Sequence, residues 1–257
     1  MTVTQTPMSP EAMSAGNVPH MCPDPNLDEF ALILDGTGRE RVNRRSIEFE
    51  FATGPLGTSA SAGAGQGVRM RKLVLTQNTT IDGSVEMLED WFDPRAQRGV
   101  DMTDVREANQ RHRDAADAVV LGRRTFEAFR DYWRDLDDDS TGIADYLNSV
   151  HKYVVASRLA EPEWEPTTVI DGGGDVISAV SDLKHRTGKD IVCTGSIELS
   201  HALIRAELVD EIRLFVYPVV QGRGRRVFPE DVTPRLQHLD TMTFDSGIVL
   251  LTYTTAH

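Results

Sequence analysis

The sequence predicts an α/β fold with a mixed, mostly parallel central sheet, helices flanking it, and an antiparallel C-terminal hairpin closing it. Three observations carry this prediction. From position 70 onward, short apolar runs alternate with segments of helical spacing. Some of those runs, such as Ala118-Val119-Val120-Leu121, are apolar at every position, as strands covered on both faces are. The last two runs flank Asp245-Ser246-Gly247, whose residues suit a tight turn between paired strands.

Taken in order, Leu73–Gln77 is a short apolar strand. Met102–Ala116 places Met102, Val105, Ala108, His112 and Ala115 on one helical face, with Asp101 or Thr103 as its cap. Ala118–Leu121 is a strand stopped by Gly122, and Thr125–Tyr132 a short helix. Tyr153–Ala156 and Thr167–Ile170 are strands. Val176–Thr187 is a helix that Gly188 can close, because glycine readily takes the left-handed conformation of a helix end. Ile191–Cys193 is a buried strand. Ser196 caps a helix running to about Leu208, with Leu199, Leu203 and Ala206 on its apolar face. Ile212–Val216 is a strand, and Leu236–Phe244 with Ile248–Thr254 forms the hairpin.

The segment before position 70 has a different character. Residues 1–25 are rich in Thr, Pro, Ser and Met without a period, and Ala31–Leu34 and Ser46–Phe51 could be short strands. Thr53–Gly67 reads TGPLGTSASAGAGQG. That stretch has almost no large apolar side chain to offset the entropy of ordering it, so it reads as a flexible linker. The domain division is therefore 1–69, a poorly ordered extension and linker, and 70–257, the folded domain. Whether 1–69 is a genuine extension or lies upstream of a true start at Met70 stays open; a small docking hairpin is a third reading. His20 and Cys22 lack further ligands at metal-binding spacing.

Composition excludes several classes of function. Lys and Arg total 27 against 40 Asp and Glu, a formal charge of −13. Such a surface is poorly suited to broad nucleic-acid binding or to an anionic membrane. Two cysteines, Cys22 and Cys193, cannot make a disulfide framework or a four-cysteine zinc site. No apolar run is long enough to span a bilayer, and the N-terminus lacks the pattern of a secretory signal. A reducing cytoplasm is the expected compartment, and no metal site is expected.

Three turns that follow strands share one chemistry. In Leu121-Gly122-Arg123-Arg124-Thr125, glycine permits a sharp turn, Thr125 can cap the helix, and two arginines supply positive charge. Ala156-Ser157-Arg158 ends a strand with a hydroxyl and a guanidinium, a pair that suits a phosphomonoester. Cys193-Thr194-Gly195-Ser196-Ile197-Glu198 leads a buried strand through glycine into a helix whose first N–H groups face an anion. Each turn alone could be an ordinary surface turn; together they suit a dinucleotide carrying a 2′-phosphate. Asp171-Gly172-Gly173-Gly174 carries aspartates that disfavour an anion and reads as a flexible turn. Gly222-Arg223-Gly224 occurs, but no GxGxxG follows a strand, so the usual Rossmann fingerprint is absent.

The strings NTTIDG (78–83), LGRRTFEAF (121–129), KYVVASR (152–158) and CTGSIELSHALIRAELVDEIRLFVYPVVQGRGRRVF (193–228) resemble one family. It is the dihydrofolate-reductase-like family that includes the C-terminal reductase domain of the bacterial bifunctional riboflavin-biosynthesis deaminase-reductase. The resemblance covers about 70–257. It implies an eight- or nine-stranded mixed sheet and NADPH as hydride donor. It implies that Gly122, Arg123, Arg124 and Thr125 grip the cofactor phosphates and that Ser157 and Arg158 meet the 2′-phosphate. Gly195, Ser196, Ile197 and Glu198 would lie near the pyrophosphate. Thr80, Asp82 and Gly83 would stand beside the nicotinamide and substrate, with Asp82 the best candidate for a polar substrate contact and a candidate for acid–base work. Arg223 and Gly224 match a loop on the substrate side, although Arg223, Arg225 and Arg226 also fit a solvated basic loop, and Asp82-Gly83 also fits an ordinary turn.

The sequence departs from the family in places. It has no H-x-E followed by P-C-x-x-C, the zinc signature of the deaminase half. Trp91-Phe92-Asp93-Pro94 does not reproduce the carboxylate pattern of true dihydrofolate reductases, and Asp104 and Glu107 read as solvated helix carboxylates. The expectation is an NADPH-dependent reductase of a small heterocyclic or ribosyl-phosphate substrate. The alternatives are a non-catalytic NADP(H)-binding protein of the same fold, or a dihydrofolate reductase. A homodimer is expected, the final strands offering pairing surfaces. Asp135–Asp139 reads as a solvated acidic loop, Tyr132 and Trp133 as core or cleft rim, His185 and His201 as surface residues, and Cys193 as a buried inert thiol.

Overall fold

The computed structural model describes residues 70–88, 91–92, 100–159 and 161–255. Eight strands and five helices follow one another. β1 is Leu73–Thr80, α1 Thr103–Asp114, β2 Ala116–Gly122, α2 Arg123–Trp133 and α3 Ile143–Ser149. Then come β3 His151–Ala156, β4 Thr167–Asp171, α4 Val176–Lys184 and β5 Asp190–Thr194. α5 Ile197–Arg205, β6 Glu211–Tyr217, β7 Leu236–Thr243 and β8 Val249–Thr255 complete the chain.

The strands form one eight-stranded sheet in the order β4-β3-β2-β5-β1-β6-β8-β7. From β4 to β6 every pairing is parallel; β8 is antiparallel to both β6 and β7. The α/β fold with a mostly parallel sheet and a closing antiparallel hairpin is thus as expected from the sequence.

Full apolarity of the central strands has a direct cause. On β2, Ala118 and Val120 pack into a cluster with Val180 of α4 and Leu203 of α5. The intervening Val119 and Leu121 pack with Phe126 of α2 and Leu147 of α3. Successive side chains of a strand point to opposite faces, so both faces of β2 are buried. A third cluster forms where Val105 and Ala108 of α1 cover Phe215, Tyr217 and Leu250. β7 is the outer edge and almost wholly exposed.

Several expectations need correction. β1 runs on to Thr80, because Asn78, Thr79 and Thr80 pair with Phe215, Val216 and Tyr217. α2 starts at Arg123 with Gly122 as N-cap residue, two residues before the expected start, so Thr125 is inside the helix and does not cap it. α4 and α5 stop at Lys184 and Arg205, each about one turn early. α3 was not expected at all, because its seven residues are too few to show a period. Its start is fixed by Asp139, whose carboxylate accepts the Thr141 N–H at 2.8 Å and the Ala144 N–H at 2.9 Å. The run 135–139 is therefore not uniformly solvated: Asp139 is half-buried and caps a helix.

Other side chains settle plainly. Trp133 is 3% exposed and belongs to the core. Cys193 is fully buried, and burial pushes its thiol up to about 12, as fits an inert core residue. The strand expectations at Ala31–Leu34 and Ser46–Phe51, the linker and the His20–Cys22 segment lie outside the described residues. No described helix is long and apolar enough to cross a membrane.

Candidate active site at the carboxyl edge of the sheet

Six parallel strands point the same way, so the loops after β1 to β6 leave one edge of the sheet. In such sheets this edge is where ligands bind. Strand order puts the β3, β2 and β5 loops in a row, followed by those of β1 and β6. All three anion-suited turns therefore become neighbours, although about 30 residues or more separate each from the next along the chain.

The turns after β2 and β5 are joined to each other. Ser196, only 5% exposed, accepts the Gly122 N–H on its hydroxyl at 2.9 Å. Its side chain makes no cap bond to its own helix, contrary to expectation. Thr125 donates its hydroxyl to the Gly195 carbonyl at 3.2 Å. Gly195 has φ +66, and a Cβ there would stand 3.0 Å from the Thr125 methyl, so both conformation and space require glycine. The buried Gln77 of β1 steadies this turn, accepting the Gly195 N–H at 3.3 Å and donating to the Ser200 hydroxyl at 3.1 Å. Two helix N-termini, whose first N–H groups have no partner within the helix, thus stand side by side.

Beside them, Ser157 and Arg158 are exposed and make no hydrogen bond or ion pair with any described residue. Gly172, after β4, lies hard against this turn: a Cβ would come within 2.9 Å of the Ser157 nitrogen. The Asp171–Gly174 turn is thus a packed support for the Ser157 loop rather than a loose connection. Arg123 is turned along its own helix and pairs with Glu127 at 2.8 Å. Arg124 is exposed on the same turn.

The β1 and β6 ends are built differently. Asp82 accepts the Thr80 hydroxyl at 2.6 Å, the Gln221 N–H at 3.1 Å and the Gly222 N–H at 2.8 Å. These donors, the Thr80 hydroxyl first, hold its carboxyl down at about 2. An acid that is ionised throughout the neutral range cannot deliver a proton there. Asp82 ties the β1 turn to the loop after β6 through these bonds. Thr80 is 1% exposed, its hydroxyl committed to Asp82 and to the Ser84 N–H, so it shapes the turn and offers no free polar group.

The loop itself is braced throughout. Ser84 and Arg226 form an isolated bridge. Arg226 also hydrogen-bonds the Asp82 carbonyl and pairs with its carboxylate at 3.6 Å. Arg225 pairs with Glu86 at 2.8 Å and with Glu198 of α5 at 3.1 Å. Glu198, expected near the pyrophosphate, thus faces Arg225, while Ile197 packs on the core. Arg223 is exposed at the tip. Arg225 and Arg226 are not a merely solvated basic pair but ion-paired struts.

Asp104 is likewise not simply solvated: it accepts the Asp245 N–H at 2.8 Å and so anchors the β7–β8 turn to α1. His201 donates to the Arg226 carbonyl at 2.9 Å, a second tie between α5 and the loop. Sequence reading missed Gln77, Glu86 and Gln221. Gln77 carried a signal, a lone amide within an apolar strand; the others become meaningful only through contacts across more than 100 residues or between loops. Two hollows of about 330 and 180 Å3 lie away from this edge, one between α1 and α3 and one between α5 and the start of β7. Among the described residues, no group of three or more His, Cys, Asp or Glu could hold a metal ion.

Comparison with known proteins decides the family. A family model described as the RibD C-terminal domain matches residues 71–250. The chain belongs to the RibD C-terminal domain family. It is similar to YyaP of Bacillus subtilis, an uncharacterized protein, with 31% identity over 195 residues that cover 72% of this chain and 96% of YyaP. In structure it is similar to a pyrimidine reductase-like protein from Corynebacterium diphtheriae, with a TM-score of 0.52 at 16% identity over 73% of this chain and 92% of that one. It is also similar to a deaminase/5-amino-6-(5-phosphoribosylamino)uracil reductase from Thermotoga maritima, with a TM-score of 0.51 at 16% identity over 73% of this chain and 57% of that one. Family membership supports an oxidoreductase of the RibD reductase type, and the observed sheet is that of its structural neighbours.

Proposed function

We propose that this chain is an NADPH-dependent reductase of a small heterocyclic or ribosyl-phosphate substrate, resembling the 5-amino-6-(5-phosphoribosylamino)uracil reductase. The observation that carries the reading is the row of turns after β3, β2 and β5. It combines an exposed Ser157–Arg158 pair with two joined helix N-termini, a donor set suited to a 2′-phosphate and a pyrophosphate. Gly195 and Gly172 let these turns pack directly on Thr125 and Ser157, where a Cβ would collide, and so hold the row together.

When bound, the reduced nicotinamide supplies a hydride to an electrophilic C=N or C=O carbon. The chain's residues do the rest. Arg158 and Ser157 hold the phosphate end, with Arg124 at the neighbouring turn. Gly122, Gly195 and Ser196 fix the two helix termini against each other. The β1 turn and the loop after β6 place the acceptor at reacting distance and exclude water. Since Asp82 stays ionised, the proton that completes the reduction comes from water. The cytoplasm is the proposed compartment and a homodimer the proposed assembly, the open β7 edge being available for pairing.

The test is a calorimetric titration of the protein with NADPH and NADH in parallel, followed by NADPH oxidation against a panel of heterocyclic and ribosyl-phosphate acceptors. Preference for NADPH with turnover supports the reading. Preference without turnover leaves the non-catalytic binding protein, and binding of neither cofactor overturns both.

A further inference from the structure

The loop after β6 contains a residue to which no role has been assigned, and its contacts exceed those of an ordinary loop side chain. The two amide N–H hydrogens of Gln221 are shared among three acceptors: the Ser84 hydroxyl at 2.8 Å, the Glu86 carbonyl at 3.0 Å and the Arg223 carbonyl at 3.1 Å. Its amide oxygen accepts the Trp91 indole N–H at 2.9 Å. Its own backbone N–H is held by Asp82 at 3.1 Å. One side chain therefore joins the strand end after β1, the Trp91 segment and the tip of its own loop.

What it holds is chemically distinctive. Trp91, 9% exposed, stands edge-on to Tyr217, 4% exposed, at 5.3 Å and tilted against the half-buried Phe92 at 6.1 Å, forming a buried aromatic wall beneath the carboxyl end of β6. Arg223, whose carbonyl Gln221 grips, is the exposed cation at the loop tip. Gly224 allows this close packing: it has φ +93, and a Cβ there would lie 2.6 Å from the Ser84 hydroxyl and 3.0 Å from the Gln221 amide nitrogen. The amide matters as an amide, because no other side chain of this size offers a donor nitrogen and an acceptor oxygen together.

We propose that Gln221 is a positioning residue of the substrate side: it fixes the aromatic wall through Trp91 and the cationic tip through Arg223 in one arrangement. The inference rests on the reductase reading for its effect on turnover, but its structural part stands independently. Gln221 touches neither hydride nor proton; it acts by bracing the loop tip that would meet an acceptor against the buried aromatic wall beneath it. The acidic partner Asp82 serves the same device from the other side, accepting the Gln221 and Gly222 N–H groups.

Two variants separate the two duties. Gln221→Ala removes both. Gln221→Glu keeps an oxygen for the Trp91 N–H but loses all three donor bonds. The readouts are amide exchange over residues 222–226, Trp91 fluorescence and NADPH affinity. Trp133 and Trp164 serve as internal references, each 3% exposed in a different cluster. Gln221→Ala is expected to speed loop exchange at least tenfold, to shift the emission and to leave NADPH affinity within twofold. Gln221→Glu is expected to speed exchange while preserving the Trp91 emission. With any acceptor that the wild type reduces, both variants should lose turnover about tenfold with KM for NADPH unchanged. Unchanged exchange and emission in Gln221→Ala would overturn the proposal. Failure of NADPH to bind the wild type would instead remove the reductase reading and leave the exchange result to decide the positioning role alone.

Discussion

At the β3 end of the carboxyl edge, Ser157 and Arg158 stand exposed without a partner among the described residues. At the β6 end, Arg225 and Arg226 are tied to Glu86, Glu198 and Asp82. The same residue type thus serves opposite ends. An unpartnered guanidinium keeps its charge for a ligand, whereas one already bonded to carboxylates spends its donors on shape. The difference teaches that arginine after a strand is not by itself an anion site: Arg158 and the GRGRR arginines look alike in sequence, and only their neighbours tell them apart.

Acid offers the largest separation of the two halves. His112 on α1 lies edge-on to Phe215 beneath the β6 side, with its Nδ1 buried and unbonded. Burial, helped by Arg213 and opposed by Glu211, pulls its imidazole down to about 4. The unfolded chain takes up a proton near pH 6.5 and the folded chain only near 4. Stability from this group is therefore complete above 6.5 and falls as the pH drops through that window, by up to roughly 3 kcal/mol. Denaturant melts at pH 7 and 4.5 should show the loss, and His112→Leu should flatten it. Amide exchange should rise first in α1 and β6 and later in β2 and β3; simultaneous opening would mean that the halves are not separate in this sense.

A smaller effect isolates the β3 end. Arg158→Ala is expected to weaken NADPH binding about tenfold to thirtyfold, the scale of one charge-assisted hydrogen bond, and to leave NADH nearly unchanged. Calorimetry with both cofactors reads this directly. Equal losses for the two would place Arg158 away from the 2′-phosphate.

How far the sequence reached follows the same division. The parallel sheet was legible because β2 is apolar at every position, and that pattern has one main physical cause. The placement of the three turns at one edge was legible because each follows an apolar strand of the parallel sheet. What was not legible was partnership. Nothing local distinguishes Arg158, left open, from Arg225, bound to Glu86 across 139 residues. Asp82 looked like a candidate acid because its neighbours in sequence do not include Gln221 and Gly222, whose N–H groups saturate it. α3 escaped because its start depends on Asp139, read as one more acid in an acidic run.

Ser196 tests whether the joined helix termini act as one. Ser196→Ala leaves the Gly122 N–H without its buried acceptor and should cost about 1 kcal/mol of stability. Because the loss concerns the arrangement of two termini and not the 2′-phosphate, NADPH and NADH should weaken alike, by about threefold to tenfold. A change confined to NADPH would contradict that division of labour.

The smallest effect falls on the strut between the two ends. Glu198 is exposed and sits in the first turn of α5, where its charge favours the helix dipole and pairs with Arg225. Exposed pairs of this kind contribute little, so Glu198→Gln should change stability by no more than about 0.5 kcal/mol. Its carboxylate stands at the terminus that would receive a pyrophosphate, and removing a like charge there should tighten NADPH binding slightly, by about twofold. Salt should erase the gain, as screening acts on exposed charges. A loss of affinity in Glu198→Gln would restore Glu198 as a direct cofactor contact. It would also mean that the two ends meet at α5 and are not merely braced through it.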